Sequence, residues 1–303
     1  MSVNTDQPQA DRSGALDRQL HVDPRTAAVT RANLWTATTA LLALSGAVAG
    51  LLIDGVYTGA RSTAEMLRGY DVVTAMVVVP ALAVAIRLTH HGSVRAQLAS
   101  ASLIAYLVYT YAYYLFGTGF NDLFLLHAAV LATAVVALVL HLTSIDIAPF
   151  AIDLHPGARA RGAAVVLGLL AAALGGMWVY FGLDNAVTGD VPAGSQLVET
   201  DTIVHLGMAL DLTLLVPLYA GAAILLWRSS GWGYVLGAIS LIAGLLHQVS
   251  YIVAMPFQVA ADIPDAVSYD PGEPVIVLAY LLGGFLLLRR HEAAAASVDG
   301  GHR

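Results

Sequence analysis

The chain has 303 residues, of which 58% are hydrophobic and only 12% charged, with a mean hydropathy of +0.72. A soluble domain carries about 25% charged residues, so this composition describes a polytopic membrane protein, and a net charge of −7 leaves no basic footprint for nucleic acid. The absence of cysteine excludes disulfides, thiolate catalysis and cysteine metal ligation, and the absence of lysine (all 14 basic residues are arginine) excludes a Schiff-base pigment, a pyridoxal enzyme and a Walker lysine.

Residues 1–32 are polar and read as a cytoplasmic tail, disordered up to about Val22. They lack the apolar core and cleavage site of a signal peptide. Asp23-Pro24 then reads as a helix start, with proline at the first helical position. Eight apolar spans follow, at 33–54, 71–89, 94–116, 122–144, 162–183, 202–228, 232–256 and 274–290. A membrane crossing needs about 20 residues, and the last span is the shortest. The expected fold is an all-α transmembrane bundle of about eight helices over residues 33–290, with 291–303 as a second cytoplasmic tail.

The loops set an orientation. Arg12, Arg18, Arg25, Arg31, Arg87, Arg95, Arg159, Arg161, Arg228, Arg289 and Arg290 share one side if there are eight crossings. The other side keeps Arg61 and Arg68 and collects Asp184, Asp190, Glu199, Asp201, Asp262, Asp265, Asp270 and Glu273. The positive-inside rule then places both termini in the cytoplasm, in a plasma (inner) membrane. Ile145–Leu154 is too short to cross and reads as a cytoplasmic interfacial segment. Residues 257–273, rich in proline, read as an extended outer loop.

The two halves share short features. Leu103-Ile104-Ala105 matches Leu241-Ile242-Ala243, Val79-Pro80 matches Val216-Pro217, and Thr58-Gly59 matches Thr188-Gly189. Four helices per half would make the repeat parallel, with its axis along the membrane normal.

The sixth span, TIVHLGMALDLTLLVPLYAGAAILLWR, asks for most explanation. A carboxylate within a membrane span costs a few kcal/mol, so Asp211 is a functional candidate by default and should have a partner. The competing reading is a structural carboxylate bonded to a tyrosine or histidine of a neighbouring helix. At about 1.5 Å per residue, His247, His127, Tyr106 and Tyr109 fall near its level, and His205 lies shallower. These six residues define an expected polar pocket in the outer half of the bundle. Pro80 and Pro217 sit near mid-membrane, where a missing amide donor loosens the backbone. Tyr111, Tyr113, Tyr114 and Phe116, matched by Trp178, Tyr180 and Phe181, read as an outer aromatic belt. Asp54 closes the first span and Asp71 opens the second. The remaining histidines, His90, His91, His141, His155, His291 and His302, read as loop or interface residues. Gly46 with Gly50, Gly233 with Gly237, and Gly168 with Gly175 mark faces for close helix packing.

Four classes of function follow. The first is transport or binding of a small molecule or proton. The second is a redox protein with one haem, using His127 with His205 or His247 (His141 lies 14 residues from His127 on the same helix). The third is a metal-assisted intramembrane enzyme with His127, His247 and Asp211 as zinc ligands. No H-E-x-x-H or G-x-S-x-G motif supports an enzyme, and no cofactor is assigned. The last is a non-catalytic assembly partner, for which the glycine faces would suffice, in a homo-oligomer for example.

The segments Tyr109–His127 (YTYAYYLFGTGFNDLFLLH) and His205–Tyr234 (with DLTLLVP and WRSSGWGY) resemble a recurring pattern in multi-pass bacterial integral membrane proteins of uncharacterised function. The resemblance spans the second to seventh helices. It implies this topology and no mechanism.

Overall fold

The structure is a computed structural model and describes residues 24–153, 157–192 and 196–289. The expected tails at 1–22 and 291–303 lie outside the described residues, as do Arg12, Arg18, Arg290, His155, His291 and His302. All the secondary structure described is helical. Among the described residues seven helices are long and apolar enough to cross a membrane: α1 (Pro24–Leu52), α2 (Arg61–His90), α3 (Val94–Phe116), α4 (Phe124–Ser144), α5 (Ala158–Thr188), α6 (Asp201–Trp227) and α7 (Gly231–Ala260). A shorter apolar helix, α8 (Glu273–Leu288), has 16 residues.

Most of these helices outrun their apolar spans. The largest difference is in α2, which begins ten residues before the expected start at Asp71. Its first turns carry Arg61, Glu65 and Arg68, which hide the helix from hydropathy although their i,i+3 and i,i+4 spacing keeps them on one polar face. α7 likewise runs through Pro256 to Ala260, so the loop expected from 257 starts later. The segment after α4 holds a six-residue helix, Ala148–Asp153, and Phe150 on it is buried and stacks on Tyr234 of α7 at 4.9 Å.

Two prolines have a visible effect on the backbone. Pro80 and Pro217 lack an amide hydrogen, and each ring crowds the carbonyl four residues earlier. The turn upstream widens to π-helix at Thr74–Val78 in α2 and at Asp211–Leu215 in α6. The amides of Val79 and Val216 reach back five residues, to Thr74 O and Asp211 O. Asp211 is therefore the first residue of a π turn.

The helices pack as two rings of four. In the first, α1 meets α2, α2 meets α3, α3 meets α4, and α4 returns to α1. In the second, α5, α6, α7 and α8 close in the same order. α7 joins the rings by packing on both α2 and α3. α3 is the most enclosed helix, with 78% of its apolar window buried against 22% for α6. That position explains the main departure from the expected aromatic belt. Tyr111, Tyr113 and Tyr114 are buried because α3 has neighbours on every side, and only Phe116 faces out, 60% exposed. Trp178 is also buried, whereas Tyr180 is exposed.

Polar pairs tie the rings. Tyr106 on α3 bonds Ser250 on α7 at 2.7 Å. Gln258 on α7 donates to Ser62 O of α2 and to Val198 O, and accepts from Val198 N. Within the first ring, toward the arginine-bearing end, Thr36 bonds His141 at 2.9 Å and Gln97 donates to Ser144, so His141 is a buried group rather than the loop or interface residue expected.

The glycines have unequal roles. A Cβ on Gly233 would fall on the backbone of Leu225 and Leu226, and one on Gly237 would press Leu226, so this pair seats α7 on α6 within the chain. Gly168 has no neighbour where its Cβ would be. The tightest approach between the rings is at Gly69 of α2, where a Cβ would meet Ala254 Cα and lie 2.8 Å from Ala254 N. Backbone cannot yield as a side chain does. Gly69→Ala should therefore lower the thermal unfolding midpoint in detergent, by the equivalent of about 1–3 kcal/mol. An unchanged midpoint would show that α2 and α7 do not pack this closely.

Candidate functional site

The two buried aspartates, Asp71 and Asp211, each centre a polar cluster, one on either side of α3. Both lie toward the acidic end of the bundle. Their α3 members, Tyr109 to Tyr114, span about 8 Å along the helix axis.

The first cluster surrounds Asp211, which is 8% exposed. The Tyr109 hydroxyl donates to its Oδ1 at 2.6 Å, and the Trp178 indole N–H donates to its Oδ2 at 2.8 Å. The donors come from α3 and α5, so three helices meet at one carboxylate. Tyr113 extends the chain, its hydroxyl 3.2 Å from that of Tyr109. The His247 ring stands edge-on to Tyr109 at 4.8 Å and stacks on Tyr113 at 6.1 Å, and its Nδ1 has no hydrogen-bond partner.

A cavity of about 530 Å³ opens beside this carboxylate, between α5, α6, α7 and α8. Asp211, His247, Gln248, Tyr113 and Trp178 line it. Tyr219 and Tyr280 also line it, with their hydroxyls bonded to each other at 2.9 Å. Near its acidic end stand Glu199, Asp270 and Glu273. Segment 196–200 is anchored over the cavity by Leu197 N donating to the Tyr251 hydroxyl. Sites for small molecules have volumes of roughly 300–1,000 Å³ and combine apolar walls with a few convergent polar groups. This cavity has both properties.

The second cluster surrounds Asp71, 1% exposed. Tyr57 donates to Oδ2 at 2.7 Å and Tyr114 donates to Oδ1 at 2.8 Å. Burial first, and then the adjacent Asp71 carboxylate, hold the Tyr57 phenol far above its ordinary pKa, so it remains a donor. His127, also 1% exposed, lies among the rings of Tyr57, Tyr111 and Tyr114, and neither ring nitrogen has a hydrogen-bond partner. Room for this cluster comes from Gly50, because a Cβ there would fall on Asp71 Oδ2 and on the Tyr57 hydroxyl.

Of the six expected residues, Asp211, His247 and Tyr109 meet in one cluster. Tyr106 lies on the same helix but is taken up by Ser250. His127 belongs to the Asp71 cluster, because position 127 of α4 faces α1 and α3 rather than α6 and α7. His205 is exposed, outside both clusters. The zinc set His127, His247 and Asp211 is not brought together. Among the described residues no three His, Asp or Glu stand close enough to hold a metal ion.

Sequence reasoning missed Asp71, Tyr57, Tyr114, Tyr113, Trp178, Glu199 and Glu273 as site residues. Asp71 was discoverable from the polar face of Arg61–Arg68, whose spacing extends the helix past it. Trp178 had no such signal, since its indole N–H could as well have faced a headgroup layer. No family model, curated protein or solved structure matches the chain.

The Asp71 cluster gives a coupled prediction. Asp71→Ala leaves Tyr57 without an acceptor and should cost about 1–3 kcal/mol. Gly50→Ala should destabilise as well, because its methyl collides with the carboxylate. Made together, the two changes should cost less than the sum of the singles, since removing the carboxylate vacates the space. Strict additivity in thermal unfolding would mean that Gly50 does not frame this site.

Proposed function

We propose that the chain is a multi-pass membrane protein that binds a small molecule or a proton in the Asp211 cavity, as a transporter or ligand-binding protein of the plasma membrane. The observation that carries this reading is the pairing of a buried, hydrogen-bonded carboxylate with an adjoining cavity of ligand size. A carboxylate needed only to join helices would not need a cavity of about 530 Å³ next to it. The π turn at Asp211 supports the same reading, since such turns are frequent at functional sites. Two of the carboxylate's lone pairs accept from Tyr109 and Trp178, which leaves capacity for a ligand.

The orientation in this proposal follows the arginines. Arg25, Arg31, Arg87, Arg95, Arg159, Arg161, Arg228 and Arg289 fall at one end of the bundle if α8 crosses with the others, and the positive-inside rule makes that end cytoplasmic. The cavity then lies in the outer half. The matching order of the two four-helix rings, with π turns and Val-Pro steps at equivalent places, supports a parallel duplication. The halves have diverged at the carboxylate. The first π turn begins with Thr74 where the second begins with Asp211, and Asp71 lies nearly one turn earlier.

Two measurements test this proposal. The chain has no cysteine, so single cysteines report topology directly. A membrane-impermeant maleimide should label Val267→Cys in intact cells and His91→Cys only after permeabilisation; the reverse pattern would invert the protein. In a thermal-shift screen of small molecules on purified protein, ligands that stabilise the wild type should lose their effect in Asp211→Asn and in the cavity-filling Ala173→Phe. Undiminished stabilisation of both variants would place binding elsewhere and leave Asp211 as scaffold.

A further inference from the structure

The charge balance of the cavity goes further than its size. Four carboxylates line it, Asp211, Glu199, Asp270 and Glu273, and no arginine does among the described residues. The chain has no lysine that could reach in. The ion pairs seen elsewhere, such as Arg68 with Asp54, do not involve Asp211, Asp270 or Glu273. Glu273 stands apart among these groups. It is only 7% exposed, it lines the cavity, and its Oε2 has no hydrogen-bond partner. A buried carboxylate oxygen in that condition is costly unless something fills the position.

The rest of the lining is aromatic. Trp178, Phe181, Tyr113, Tyr219 and Tyr280 contribute rings. Ring faces attract cations, most strongly when the cation is desolvated. The Trp178 N–H is bonded to Asp211 Oδ2, so its indole lies next to that carboxylate in the cavity wall.

From these observations we infer that the cavity takes an organic ammonium ion of small-molecule size, its charge held between Asp211 and the Glu273 end and its body against the aromatic walls. This rests on the cavity being the binding site proposed above. The competing ligand classes fit less well. An anion would face the carboxylates of Asp211, Asp270 and Glu273, and no arginine lines the cavity among the described residues. A neutral molecule would bring no counter-charge to Asp211 or Glu273. A di- or trivalent metal ion would need several carboxylate or imidazole ligands in one shell, and among the described residues no three His, Asp or Glu are so grouped. A proton alone would need neither the volume nor the rings.

The experiment uses three probes of nearly equal size on the full-length protein in detergent: phenethylammonium, the neutral 2-phenylethanol and the anion phenylacetate. Binding is followed by calorimetry. Phenethylammonium should bind, and the other two should not. Glu273→Gln and Asp211→Asn should each weaken phenethylammonium about 10- to 100-fold, as expected for loss of a charge-assisted contact. Ala173→Phe should abolish binding. Glu273→Gln sits at the first residue of α8 and changes no interhelical hydrogen bond, so it remains informative if Asp211→Asn folds poorly. If 2-phenylethanol binds as tightly as the ammonium, is indifferent to Glu273→Gln and is lost in Ala173→Phe, the cavity is a binding site but its preference for cations is refuted. If none of the probes binds at millimolar concentration, both the ligand class and the cavity's role in binding fall.

Discussion

The interior of this bundle depends on how two carboxylates are satisfied by neutral hydrogen-bond donors. Asp211 accepts from a phenol and an indole, and Asp71 from two phenols. Neutral donors lower the cost of burying each carboxylate without an ion pair at hydrogen-bond distance. That choice fits a chain whose arginines stand mostly at one end and whose lysines are absent. It also explains why α3 carries so many tyrosines. A central helix that must reach carboxylates on two flanks needs long side chains that end in a hydroxyl, and tyrosine supplies a donor at the tip of a rigid, apolar body.

The two sites share this device and differ in access. Asp71, 1% exposed, is enclosed by Tyr57, Tyr114 and Gly50. Asp211 faces a cavity. The closed site joins α1, α2 and α3, and the open one joins α3, α5 and α6. The matching order of the two rings and the shared π turns give the halves a common frame, while the carboxylates sit at different places within it. One site therefore serves the cohesion of its ring, and the other carries the feature that suggests chemistry.

Much of the architecture was legible in the sequence because long apolar blocks and arginine placement are coarse signals. The all-α class follows from them, and of the eight spans expected, seven are helices of crossing length while the eighth is the shorter α8. Helix ends were less legible where polar residues stay helical, as at Arg61–Arg68, and this is why Asp71 read as the start of a helix rather than a buried group. The site was partly legible. Asp211, His247 and Tyr109 share a level that counting along the helices can find. Which flank of a helix faces which neighbour cannot be counted in that way, because it depends on how the rings close. For that reason His127 joined a different carboxylate, and Trp178 and Tyr113 read as interfacial aromatics although they are buried partners of Asp211 and His247. The glycine pairs show the same limit: Gly233 is a close contact and Gly168 is not, although their sequence patterns are equally suggestive.

Tyr109 and Tyr114 are five residues apart on α3, and so about 140° apart around its axis. One holds Asp211 and the other holds Asp71. The helix cannot turn to relax one of these bonds without disturbing the other. A rotation of α3 about its axis would therefore move both phenols at once, each against a carboxylate on a different flank.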